Sequence, residues 1–284
     1  MSRLLKLGTT AFVAAVVLAG SYVLVRVITD SEGGRRSTVG GPISTTGSGV
    51  PASPAPASPD VVASPSVPAT EVPAWPLGAE HGGPYGARVT TGSAQVALTF
   101  DDGPDPRYTP AILDLLRRSG VKATFCLVGV NVRAHPDLVR AIAADGHTVC
   151  NHSWAHDMRL GSRSRSAILA DLVRTNQAIR SAVPGVPVPY FRQPGGAWTR
   201  AVVRAAHQLR MTSLHWAVDP RDWARPGARN IIRTVTSEVY PGAIVLLHDA
   251  GGDRRATVKA LRSMLPALDR RFPLAAMPTG APMP

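Results

Sequence analysis

The stretch QVALTFDDGP, residues 95–104, runs an apolar segment straight into two adjacent carboxylates. Val96, Ala97, Leu98 and Phe100 read as a buried strand, and Gly103-Pro104 as the turn that stops it. Charged groups at the tip of a buried strand must be paired or ligated to be tolerated. Asp101 and Asp102 are adjacent, so they cannot both point the same way. One can hold a metal while the other faces a bound water.

Outward from this stretch the same texture repeats. Short apolar runs follow at KATFCLV (122–128), HTVCNH (147–152), PYFRQ (189–193), SLHWAV (213–218), AIVLLH (243–248) and PLAAM (273–277). Helical patterns separate them, at Pro110–Gly120, Pro136–Gly146, Ser164–Val183, Thr199–Leu209, Arg229–Val239 and Arg254–Arg270. Strands alternating with helices imply a parallel sheet covered on both faces, hence an α/β fold. Seven such strands fit an incomplete barrel or an open doubly wound sheet, and periodicity alone does not choose.

In either architecture sites form at the C-terminal strand ends. Polar residues collect there on five runs: Asp101-Asp102, Asn151-His152 continuing to His156, Arg192-Gln193, Asp219 to Trp223, and His248-Asp249. His152 and His156 stand at i, i+4, so on a helical turn both imidazoles face one point. Two histidines with one carboxylate leave coordination positions open, which a catalytic zinc-type site requires.

The remaining chain has a different character. Arg3 and Lys6 precede an uncharged run from Leu7 to Val25, close to the roughly 20 residues of a spanning helix. Residues 1–30 are therefore expected to be a membrane anchor, with Arg26 snorkelling at its outer end. Ala19 and Gly20 offer a cleavage site, in which case the protein is secreted. Residues 31–89, with PASPAPASPDVVASPSVP at 51–68, read as an extended spacer. The expected location is thus the cell membrane with residues 90–284 as an extracellular domain. That domain holds 25 Lys and Arg against 14 Asp and Glu, which is +11 of the chain's net +12. A basic surface draws in anionic partners, but the arginines lie scattered, with no aromatic-interleaved run to suit nucleic acid. Cys126 and Cys150 form no C-x-x-C pair, so a thiolate zinc site is unsupported. They fall on neighbouring runs, where a disulfide and two free buried thiols remain equal alternatives.

TFDDGP, HSWAH, RQPGG, DPRDW and LLH, in this order, resemble the five motifs of the polysaccharide deacetylase family, carbohydrate esterases with a NodB-type domain. The resemblance covers roughly residues 90–277. It implies a distorted seven-stranded (β/α) barrel acting as a monomer on an N-acetylated glycan, with a divalent metal: zinc first, then cobalt, nickel or manganese. By position, it implies that Asp101 is the general base and that Asp102, His152 and His156 hold the metal. It makes Arg192 the residue that orients Asp101, His248 the general acid, Asp219 the acid's partner, and Trp223 and Leu246 the walls of the acetyl pocket. The family's third motif often carries an aromatic residue where this chain has Gly195. The backbone N–H for the oxyanion remains there, but the aromatic wall is missing; Trp198 or Trp154 could replace it, with ordinary packing as the alternative for each. The implied reaction is N-deacetylation of a cell-envelope glycan, peptidoglycan first, with chitooligosaccharide or acetyl-xylan as alternatives. A wall-binding module without catalysis is the alternative from another class, and it should lack one of the five polar groups.

Overall fold

The computed structural model describes residues 81–280. The expected anchor at 1–30 and the spacer up to residue 80 lie outside the described residues. Among the described residues no helix is long and apolar enough to cross a membrane. Ala87 is fully buried and Arg88 bridges to Leu214, just ahead of the expected domain start at residue 90.

Six parallel strands form one sheet in the order β5-β4-β3-β2-β1-β6. They are β1 (Ala97–Asp101), β2 (Thr124–Leu127), β3 (Thr148–Asn151), β4 (Tyr190–Phe191), β5 (Thr212–Ser213) and β6 (Ile244–His248). The sheet is curled. Beyond β5 the chain swings across and Val218 bridges to Val245 of β6, with Leu246 N–H donating to Val218 O at 2.9 Å. The seventh expected strand, 273–277, is not one. Only Leu274 pairs there, with Val96.

The helices are α1 (Thr109–Arg118), α2 (Gly129–Ala134), α3 (Pro136–Ala144), α4 (Arg165–Ala182), α5 (Arg200–Gln208), α6 (Ala228–Glu238) and α7 (Arg255–Asp269). Six match the amphipathic patterns, while the short α2 was not expected. Local chemistry sets their starts. Ser164 caps α4 by accepting from Ala167 N–H, and Thr199 caps α5 by accepting from Val202 N–H. The apolar faces bury residues such as Ile112 and Leu116 of α1 against the outside of the sheet.

Because successive side chains of a strand point to opposite faces, each strand splits cleanly. Leu98, Phe100, Phe125, Val149, Phe191, Val245 and Leu247 join the helix-covered core. Ala97, Cys126, Cys150, Tyr190 and Ile244 form a second cluster inside the curl. The two thiols are joined there as a disulfide across β2 and β3. The same alternation carries Asp101, Arg192, Leu246 and His248 onto the inner face at the C-terminal end, where the site is.

Candidate active site

A pocket of about 390 Å³ opens at that end. Asp101, Asp102, His152, His156, Trp223, Leu246 and His248 line it, as do Asp219, Gly195, Met158, Gln193 and Trp216. Apart from the candidate wall residues Trp198 and Trp154, every site residue read from the sequence except Arg192 thus meets at one cavity, and Arg192 lies directly behind it.

Arg192 is fully buried. Its Nη1 donates to Asp101 Oδ1 and to Thr99 Oγ1, each at 2.7 Å, while Nε and Nη2 donate to the carbonyls of Leu214 and His215. A buried cation is tolerable only when so fully satisfied. The effect is to clamp one oxygen of Asp101, leaving Oδ2 toward the histidines, 3.7 Å from His152 Nε2.

Asp102 Oδ1 lies 3.5 Å from His152 Nε2 and 3.1 Å from His156 Nε2. One ligand atom from each of these three residues can be chosen so that all lie within 4.8 Å of one another. Oδ1 is buried and makes no hydrogen bond of good geometry. Burial alone would raise the Asp102 pKa. Hydrogen bonding and charge from the two imidazoles outweigh it and hold the carboxyl well below the usual range. The bond to Asp102 in turn raises the pKa of His156 against burial. His152 Nδ1 pairs with Arg192 O at 2.8 Å, which fixes its tautomer and turns Nε2 inward. Two imidazole nitrogens and an orphaned buried carboxylate oxygen fit a divalent cation.

The two histidines do not sit on a helical turn, as their spacing had suggested. Residues 152–156 are loop, bent by positive φ at Ser153 (63°) and His156 (55°), and Asp102 also has φ of 76°. Strained non-glycine conformations clustered at one place mark a site whose geometry matters. Gly103 has a simpler reason. A Cβ there would lie 2.3 Å from Asp249 Oδ2, so only glycine lets the turn pass this buried carboxyl. Burial first, then the charges of Asp102 and Asp101, push the Asp249 pKa up to about 7, against the hydrogen bond from Thr109.

His248 corrects one assignment. Its Nδ1 pairs with Asp222 Oδ1 at 2.6 Å, not with Asp219. Asp222 Oδ2 also accepts from His248 N–H and Thr257 Oγ1, so this buried carboxylate is held on three sides. Asp219 lines the pocket and accepts from Arg221 N–H, closing a turn. Arg221 is left-handed (φ 53°), and that turn swings the chain so that the second acid of DPRDW reaches the ring. Burial disfavours the His248 imidazolium. The bond to Asp222 and the charges of Asp222, Asp101 and Asp102 overcome this and push its pKa up to about 9.

Of the two alternatives for Trp198 and Trp154, replacing the wall at Gly195 or ordinary packing, the structure shows packing. Trp198 is 7% exposed, edge-on to Phe191, with Nε1 donating to His215 Nδ1 at 3.1 Å. Trp154 packs on Gly129 under the guanidinium of Arg174, 3.6 Å from the ring centroid. Both are structural. Met158 and Trp216, which carried no sequence signal of their own, line the pocket instead.

Comparison with known proteins agrees with this geometry. The family model "Polysaccharide deacetylase" matches residues 88–214. A chitooligosaccharide deacetylase of Bradyrhizobium is 43% identical over 194 residues, covering 64% of this chain and 87% of the relative. A peptidoglycan-N-acetylglucosamine deacetylase of Bacillus cereus is 39% identical over 178 residues, covering 62% and 82%. Among solved structures, a family 4 carbohydrate esterase pseudoenzyme from Bacillus anthracis superposes with a TM-score of 0.62 at 30% identity, covering 67% of this chain and 66% of that one. With these relatives, the motifs in order and the site they build, the chain belongs to the polysaccharide deacetylase family, hydrolases of N-acetyl groups.

Proposed function

We propose that this protein removes N-acetyl groups from a cell-envelope glycan, peptidoglycan N-acetylglucosamine first, using a divalent metal, zinc first, held by Asp102, His152 and His156. The observation that carries the reading is the division of labour around the pocket: a clamped carboxylate on one side, a charged imidazole on the other, and the three ligands between them.

A bound cation would polarise the acetyl carbonyl and lower the pKa of the attacking water. Asp101, with Oδ1 fixed by Arg192, takes the water proton on Oδ2. His248, charged and tied through Nδ1 to Asp222, gives its Nε2 proton to the departing amine nitrogen. Leu246 and Trp223 border the acetyl methyl, and the backbone N–H at Gly195 is offered to the developing oxyanion.

The Bradyrhizobium relative supports chitooligosaccharide as the nearest alternative substrate. The pseudoenzyme match favours a second reading, a binding module of the same fold. Against it, this chain keeps base, clamp, ligands, acid and the acid's partner. We also propose that the domain works outside the cytoplasm, tethered by the N-terminal segment; the disulfide supports an oxidising compartment.

The test is mass spectrometry of acetate loss from peptidoglycan fragments and chitooligosaccharides side by side, with zinc supplied. Acetate release that disappears in Asp101→Asn and His156→Ala is expected. No release from any N-acetylated glycan, or full activity in Asp101→Asn, refutes the reading.

A further inference from the structure

Gly195 and Gly196 are both left-handed, with φ of 59° and 63°. Each also stands against a side chain from another segment. A Cβ at 195 would lie 2.6 Å from Met158 Cε, and one at 196 would lie 2.8 Å from Trp216 Cη2. The space that side chains on the β4 loop would take is therefore filled by Met158, from the β3–α4 loop, and by Trp216, from the segment after β5.

Trp216 is held as a platform. The His215 ring lies over it with centroids 4.0 Å apart, and the Arg192 guanidinium stands 5.9 Å from its centroid. His215 is fixed in turn. A tryptophan N–H can only donate, so His215 Nδ1 must accept and the ring is neutral. Burial first and the Arg192 charge second pull its pKa down to about 4. Met158 is different in kind, 54% exposed, with a thioether chain that can rearrange around what it meets.

We infer that the tandem glycine transfers the glycan-facing wall of the pocket to Met158 and Trp216. The ligand is a pyranose oligosaccharide with equatorial substituents, whose ring C–H face stacks on the Trp216 indole. Met158 forms an adjustable lip beside it. This assignment rests on the glycan-deacetylase reading above for its choice of ligand, but its test does not need catalysis.

The test is calorimetric titration of N-acetylated chitotetraose into the full folded protein and into Trp216→Leu, Trp216→Phe and Met158→Ala, with near-ultraviolet circular dichroism to check packing. Kd should rise about tenfold or more in Trp216→Leu, stay within about threefold in Trp216→Phe, and rise about threefold in Met158→Ala. The phenylalanine variant keeps an aromatic face and a filled cavity, so it separates stacking from mere support. The inference is overturned if Trp216→Leu binds as tightly as wild type, or if Trp216→Phe binds as weakly as Trp216→Leu. Wild-type protein that binds the tetrasaccharide but releases no acetate sinks the deacetylase reading and leaves this wall standing.

Discussion

Replacing Asp222 by Asn isolates what its charge does for His248. The substitution keeps the shape and an acceptor for Nδ1–H but removes the main charge that holds the imidazolium. Burial then acts with less opposition, and the ring pKa should fall from about 9 toward its ordinary 6.5. That drop is worth about 3 kcal/mol of preference for the charged ring. At pH 8 roughly nine-tenths of wild-type rings carry the proton, against a few per cent in the variant. The assay is NMR titration of His248 in the metal-free protein, followed by pH–rate profiles of acetate release, whose basic limb should move to lower pH. Stability carries the same signature. A pKa raised on folding stabilises fully below the unfolded value of about 6.5, and the contribution fades as pH rises through about 9. Wild type should therefore lose stability across that window, and Asp222→Asn should lose little there. A ring that still titrates near 9 in Asp222→Asn would refute the argument, and with it the assignment of Asp222 over Asp219.

Two further outcomes follow from buried groups. Arg192→Ala leaves the Asp101 carboxylate buried without its cation, and should cost about 3–5 kcal/mol in denaturant unfolding, besides abolishing acetate release; a loss under about 1 kcal/mol would show that water relaxes the cavity. The Cys126→Ala/Cys150→Ala pair opens a cross-link between residues 24 apart and should lower stability by about 3 kcal/mol by the chain-entropy estimate, with the site's chemistry retained. Equal unfolding curves for the two proteins would contradict it.

Much of this site was legible because strand periodicity is strict. Asp101, Arg192 and His248 each end an apolar run on the inward phase, so the strand tips alone mark them. Loops obey no such period. DPRDW offers two acids three residues apart, and only the left-handed turn at Arg221 decides that Asp222 reaches the imidazole. The adjacent bulky Trp223 is the one local hint. Met158 and Trp216 were invisible for a related reason. They matter through the space that Gly195 and Gly196 vacate, and a missing side chain does not announce what fills it. The seventh strand failed in the opposite way, since PLAAM has the right composition, yet only Leu274 forms a bridge to another strand segment.

The curl of the sheet is joined unevenly. From β3 round to β6, the strands that carry Asp101 and lead into the histidines are bound by continuous parallel ladders. The closing contact is narrow, a Val218–Val245 bridge, and the Asp219–Ala224 loop beyond it is pinned through Asp222 to His248 and Thr257. That loop contributes Trp223, 44% exposed, to the pocket. The molecule thus keeps the proposed cation-binding half on fixed masonry and the proposed acyl-contacting half on a lintel. On the proposed roles, a change at Trp223 would alter which acyl group fits while the ligands stay put, so a designer seeking a larger acyl preference should begin there and leave Asp222 and the ladders alone.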